Sequence, residues 1–280
     1  MENILITGAS TGIGYSLTKI FLDKGYRVFG SVRKPEDADR LKKDFGVHFH
    51  ALQFDVTDHD AVRASVSEVR KVIQDEGLAG LINNAGIAVT GTVMHTPMED
   101  YQRQFDVNLF GVIAVTKAYL PLLGAVKNYT EKPGKIINIS STSGVIAFPF
   151  MSPYCASKFA LEAFSDSLRR ELLMYGIDVV KIAPGPIKTP IWRKSEMVSQ
   201  DEIVNSDYGS GFQIFINHVR KSAKGAMESD DLAKRIFNVF VKKKSKTRYT
   251  FLNKKFTNYT IPRYFISDRM FDGFIKKMFR

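Results

Sequence analysis

The sequence holds one cysteine, Cys155, in 280 residues. No internal disulfide can form, which fits a reducing compartment. Histidine is also sparse. The five, at 48, 50, 59, 95 and 218, show no metal-like grouping, so no metal site is expected. No apolar run reaches the roughly 18 residues that span a bilayer. Met1-Glu2-Asn3 leads straight into Ile4-Leu5-Ile6, and no signal peptide is expected. No repeat, low-complexity tract or Pro/Ser/Gly linker divides the chain, so residues 1–280 are read as one domain. Acidic residues run short only at the end. Residues 242–280 carry 12 of the 40 Lys/Arg and 2 of the 29 Asp/Glu, a net of +10 out of +11 overall. The body is therefore near neutral. With no nucleic-acid reader motif in view, no nucleic-acid partner is expected.

What is present is an alternation of short apolar strands and amphipathic helices. Asn3–Ile6 reads as a strand, and Thr7-Gly8-Ala9-Ser10-Thr11-Gly12-Ile13-Gly14 as a loop. A helix follows with Leu17, Ile20, Phe21 and Leu22 inward, ended by Gly25. Tyr26–Val32 is the next strand. Strand, glycine loop, helix and strand make a βαβ unit, whose loop and helix N-terminus suit a pyrophosphate. The pattern continues with a helix from Pro35, a strand over His48–Phe54, a helix capped by Asp58 and a strand over Leu78–Ile82. A helix from Pro97 or Met98 runs past Pro121, where a kink or break is expected. Lys135–Ile139 and Ile177–Ala183 are further strands around a helix from about Ser152 to Tyr175. Ser229 is expected to cap another helix, and Thr247–Phe251 to form the last strand. This rhythm implies an α/β fold, a doubly wound parallel sheet with helices on both faces. Residues 190–225 show no clear period and read as an irregular lid over the substrate.

The second strand ends Gly30-Ser31-Val32-Arg33-Lys34, with no carboxylate until Glu36. An acidic residue there would hold the ribose 2′-hydroxyl of NAD, whereas Arg33 and Lys34 suit a 2′-phosphate. The expected cofactor is NADP(H) rather than NAD(H).

Tyr154 and Lys158 stand four apart on a helix, on one face and one turn from each other. Ser141 comes thirteen residues before the tyrosine, just past a strand. A phenol has a reference pKa of about 10, and a neighbouring positive charge favours its ionised form. Phenol, ammonium and hydroxyl together suit proton transfer at a carbonyl or alcohol oxygen.

These pieces resemble the short-chain dehydrogenase/reductase family, in its Tyr-x-x-x-Lys branch with retinol and hydroxysteroid dehydrogenases. Five ordered motifs within about residues 3–190 carry the likeness. They are Thr7-Gly8-x-x-x-Gly12-x-Gly14, Asn83-Asn84-Ala85-Gly86, Asn108, Ser141 with Tyr154-x-x-x-Lys158, and Pro184-Gly185. The resemblance implies a Rossmann-like sheet of about seven strands and hydride exchange with a nicotinamide cofactor. It makes Tyr154 the general acid/base and Lys158 the group that lowers its pKa and holds the nicotinamide ribose. It gives Ser141 the substrate oxygen, and Asn108 a water in a proton relay. Gly8, Ser10, Thr11, Gly12, Ile13 and Gly14 would line the pyrophosphate loop. Asp55 and Val56 would flank the adenine, with Asn83, Ala85 and Gly86 on that side. Thr189 would meet the carboxamide end, and Pro184, Gly185 and Ile187 would also bind the cofactor. A homodimer or tetramer is implied, built partly by pairing the Asn108 and Tyr154 helices.

Residues 252–280 form a basic amphipathic extension. Ser267 can cap a helix on which Met270, Phe271, Phe274, Ile275, Met278 and Phe279 share one stripe. Peripheral membrane contact and packing against the protein are both open readings. The sequence therefore reads as a cytoplasmic, NADP(H)-preferring oxidoreductase, membrane-associated in the first case. It would interconvert a carbonyl and an alcohol on a medium-sized hydrophobic substrate. The alternatives are a non-catalytic NAD(P)-sensing protein, or an epimerase or dehydratase on the same scaffold.

Overall fold

In the computed structural model, residues 1–191 and 200–278 are described. The seven strands are β1 Asn3–Ile6, β2 Arg27–Val32, β3 Phe49–Gln53, β4 Gly80–Asn83, β5 Lys135–Ile139, β6 Asp178–Pro184 and β7 Arg248–Phe251. They form one sheet in the order β3-β2-β1-β4-β5-β6-β7, with every pair parallel. The order turns back between β1 and β4. In sheets of this kind a ligand binds at such a point, beyond the C-terminal strand ends.

Both faces of the sheet are covered, and side chains alternate between them. Ile4 and Ile6 join Leu17, Phe21, Val28, Ile236 and Phe240 in one core. Leu5, between them, joins Phe29, Val62, Val115, Tyr119 and Leu168 in the other. Helices α1 (Gly12–Asp23) and Ser229–Phe240 cover the first face. Helices α3 (His59–Ile73), α5 (Gly111–Tyr119) and α6 (Ser152–Glu171) cover the second. Helix α2 is Pro35–Phe45, with its proline in the first turn. Asp58 caps α3 as expected, its carboxylate accepting from the Ala61 N–H at 2.9 Å.

Helix α4 (Met98–Phe105) reaches α5 through a π turn, Asp106–Phe110. The break foreseen at Pro121 is a 3-10 turn, Leu120–Leu123. By length and mean composition alone Met98–Leu123 could cross a membrane, although Glu99, Asp100, Arg103, Asp106 and Lys117 interrupt its apolar residues. It is instead a core stretch, with Gln104, Asn108, Val115 and Tyr119 buried against the sheet and neighbouring helices.

Two other expectations need correction. Within 190–225, Gln200–Val204 and Gly209–Lys224 are helices, not irregular chain, while 192–199 fall outside the described residues. The period was present in Phe212, Phe215 and Ile216, which are all buried. Gly209 and Gly211 obscured it, but glycine is tolerated in a first turn. Ser229 is the first helical residue, not the cap; Glu228 holds that place, with extended backbone. The Ser229 hydroxyl instead meets Ser16 at 2.9 Å, joining the helix to α1.

Candidate active site

The glycine loop is built on close approaches that exclude side chains. Gly8 and Gly12 have φ of +69° and +57°. A Cβ on Gly14 would lie 2.0 Å from the Gly8 carbonyl oxygen. The loop is braced from behind. Ser31 accepts from the Gly8 N–H at 3.0 Å, and Asn84 donates to the Thr7 and Gly8 carbonyls at 2.9 and 3.2 Å. Thr7 Oγ1 accepts from the N–H groups of Asn84 and Ala85, both at 3.0 Å. Helix α1 thus begins with its unpaired N–H groups at the crevice, a cradle fit for an anionic pyrophosphate. Ser10 and Thr11 lie on its lip, and Ile13 packs into the core below. Thr189 rests against Gly12, since a Cβ there would meet Thr189 Cγ2 at 3.0 Å.

At the tip of β2, Arg33 is exposed and its guanidinium lies 3.7 Å from the Asp55 carboxylate. Lys34 is exposed beside it. Val56 is buried against Gly111. The sequence reading missed Arg40, whose guanidinium donates to the Ser10 carbonyl at 2.8 Å from α2. Its only signal was its place seven residues past Arg33. Asn83 does not reach the crevice. It is buried and donates to Thr116 and Asn138, at 3.0 and 2.8 Å, stitching β4 to β5. Ala85 and Gly86 do reach the rim, Gly86 beside Asn108. Pro184 ends β6, Gly185 donates to the Phe251 carbonyl at 2.9 Å, and Ile187 is buried.

Ser141, Tyr154 and Lys158 converge at the mouth of β5. Ser141 follows the strand and caps a 3-10 turn, accepting from the Ser143 N–H at 3.0 Å. Its hydroxyl lies near enough to the Tyr154 phenol to favour the phenolate. Lys158 donates to the Ile139 carbonyl at 2.9 Å, and its ammonium lies 5.8 Å from the Tyr154 ring centroid. Burial pushes the Lys158 pKa down to about 8, partly offset by Glu162. Burial pushes Tyr154 up to about 12, with the Ser141 hydroxyl pulling the other way. The expected lowering of the tyrosine by its lysine is therefore absent in the protein alone, where loss of solvent around the phenol dominates. At neutral pH the phenol is a proton donor.

Asn108 sits in the π turn, whose extra residue aims its side chain inward. It accepts from the Ile87 N–H at 2.9 Å and donates to the Ile87 carbonyl at 3.0 Å and to Ser157 at 3.3 Å. It faces α6, the helix of Tyr154 and Lys158, through Ser157. Over the cluster, an apolar group joins Tyr154, Met151, Ala88, Phe212, Phe215 and Ile216, with Phe148 and Phe150 packed on it.

Fold and site together define a nicotinamide-dependent oxidoreductase. The chain belongs to the short chain dehydrogenase family, whose model matches residues 2–199. It is 42% identical over 277 residues to the NADPH-dependent 3-dehydrocapnine reductase of Ornithobacterium rhinotracheale, covering 99% of this chain and 97% of that protein. Among solved structures, a short-chain dehydrogenase from Streptomyces avermitilis superposes with a TM-score of 0.76 at 22% identity, covering 99% and 94% of the two chains. NADP-bound ElxO superposes at 0.70 with 25% identity, covering 89% and 96%.

Proposed function

We propose that this chain is an NADP(H)-preferring reductase of a medium-sized hydrophobic ketone, with Tyr154 as general acid. The observation that carries the reading is the buried contact of Ser141, Tyr154 and Lys158 beneath the aromatic group of Phe148, Phe150, Phe212 and Phe215. The glycine cradle fits a dinucleotide, and Arg33, Lys34 and Arg40 fit a 2′-phosphate. Bound NADPH supplies the hydride. Ser141 then orients the substrate carbonyl by a hydrogen bond, and Tyr154 gives its proton to the oxygen as charge develops there. The ammonium of Lys158, still protonated at neutral pH, stabilises the resulting phenolate and holds the ribose. Asn108 anchors a water through which the proton is replenished.

The similar reductase from Ornithobacterium rhinotracheale narrows the substrate. Its name specifies a 3-dehydro compound, a ketone at the third carbon. We assign the present chain to 3-dehydrocapnine or a close analogue, with the segment 190–225 as its lid. The enzyme acts in the cytoplasm as a homodimer or tetramer built on the Asn108 and Tyr154 helices.

The test follows NADPH oxidation with 3-dehydrocapnine, a short ketone and a bulky cyclic ketone. The first should give the highest kcat/KM. NADPH binding without turnover of any ketone would overturn the reductase reading in favour of a sensor. Tyr154→Phe should remove turnover and leave NADPH binding nearly intact; retained turnover would end the general-acid role.

A further inference from the structure

Past β7 the chain adds a π turn, Phe256–Thr260, a helical turn, Ile261–Tyr264, and the helix Asp268–Met278. Two contacts hold this segment to the catalytic region. Tyr259 is buried, and its hydroxyl meets the Arg248 guanidinium, which also grips Glu162 on α6. Phe271 meets Phe148 of the active-site loop edge-on, with centroids 6.2 Å apart. The inner edge of the helical stripe, Phe271 and Ile275, is therefore half-buried. The outer edge is bare. Phe256, Tyr264, Phe265, Met270 and Phe274 are all more than half exposed, Phe265 at 72%.

Large apolar side chains exposed together mark an interaction surface. Their surroundings are basic: Lys254, Lys255, Arg263, Arg269, Lys276 and Lys277 are exposed among them. The local carboxylates are Asp268 and Asp272, and Asp272 lies 3.5 Å from Arg269. Apolar and cationic side chains together are the two signals that stable interfacial binding needs. A second copy of the chain is a poor occupant, because it would bring a segment of net +10 against its like.

We infer that this face docks on an anionic lipid bilayer. Phe265, Met270 and Phe274 enter the boundary between headgroups and acyl chains, and the lysines and arginines lie against lipid phosphates. Through Phe271 and Phe148 the docked helix borders the aromatic roof of the site. A hydrophobic ketone then passes from the bilayer into the cleft. That last step rests on the hydrophobic-ketone reading; the docking does not.

The experiment is cosedimentation of the full chain with vesicles of phosphatidylglycerol and phosphatidylcholine, and with vesicles of phosphatidylcholine alone. The protein should bind the anionic vesicles, about tenfold or more weakly at high salt or without phosphatidylglycerol. Phe265→Asp/Phe274→Asp should weaken binding about tenfold or more, since each buried aromatic is worth at least that factor. The variant should keep the wild-type melting temperature and turnover of a short ketone. Failure of the wild type to bind either vesicle, or equal binding by wild type and variant, overturns the proposal. A smaller oligomer formed by the variant overturns it too, in favour of a self-interface. Vesicle binding with no gain in the rate on 3-dehydrocapnine overturns the delivery step alone.

Discussion

Arg248, on the last strand, clamps Glu162 of α6, with Nε 3.2 and 3.1 Å from the two carboxylate oxygens. Both side chains are largely buried, and Lys181 shares the carboxylate at 3.3 Å while lying 2.7 Å from Asp166. The clamp sits one turn past Lys158, and Arg248 Nη2 lies 3.5 Å from the Ser141 carbonyl. It fixes α6 to the edge of the sheet. Removing Arg248 takes away the bidentate contact of the buried Glu162 carboxylate and leaves it Lys181 at 3.3 Å. Arg248→Ala should therefore destabilise the protein by about 3 kcal/mol. Arg248→Ala/Glu162→Gln should lose clearly less than the sum of the single changes. Urea denaturation of the four proteins completes the cycle, and strict additivity would show that the two residues act apart.

The buried lysine gives a pH signature. Lys158 has a folded pKa of about 8, below its ordinary 10.5, so the folded state binds its proton less tightly than the unfolded chain does. Its contribution to stability is present above the unfolded value and is lost as pH falls towards 8. The stability difference between wild type and Lys158→Met should thus move in favour of the wild type by about 2.5 kcal/mol from about pH 7 to about pH 10. Parallel urea titrations at both ends measure it, and a difference that stays flat with pH would refute a depressed lysine. The same titration bears on turnover. Ketone reduction should hold through neutral pH and fall above about pH 8 as the ammonium is lost, while the phenol, at about 12, remains protonated.

Cofactor choice should depend on the cations at the tip of β2. Arg33 is held only loosely by Asp55, at 3.7 Å, and Arg40 leans on the glycine loop through Ser10. A charge-assisted contact to a 2′-phosphate is worth about 1.5–3 kcal/mol. Arg33→Ala should raise KM for NADPH about tenfold or more with little change for NADH. Arg40→Ala should act in the same sense, and less strongly if the loop contact is its main role. Steady-state kinetics with both cofactors decide the matter; an equal effect on the two would remove the phosphate role.

Assembly should run through the outer faces of α5 and α6. Phe110 at the start of α5 and Phe159 on α6 are both exposed, at 48% and 43%. Phe110→Asp/Phe159→Asp should yield a monomer in light scattering after gel filtration, with the melting temperature lowered as the interface is lost. An unchanged mass would place the contact elsewhere.

The central strands and the glycine loop could be read from the sequence because their signals are local. Four apolar residues, then glycines where no side chain fits, need no partner to be recognised. Tyr154 and Lys158 were equally legible, since a four-residue step on a helix puts them on one face. Arg248 and Glu162 stand 86 residues apart, and no pattern in either segment announces the pair. Asn83 and Asn84 are adjacent, yet a strand sends successive side chains to opposite sides. Only the sheet decides that Asn84 braces the loop while Asn83 turns inward to Asn138.

The sequence by itself determined the doubly wound parallel sheet, the order of its motifs and the identities of the serine, tyrosine and lysine that meet at its crevice. Tertiary structure alone decided their chemistry. The lysine should have lowered the phenol's pKa, but burial raised it, because desolvation is set by everything packed around a group and not by its neighbour on the helix. The same holds for the end of the chain. The apolar stripe was visible as a pattern, but which of its side chains stay uncovered depended on how the last helix seats against Phe148.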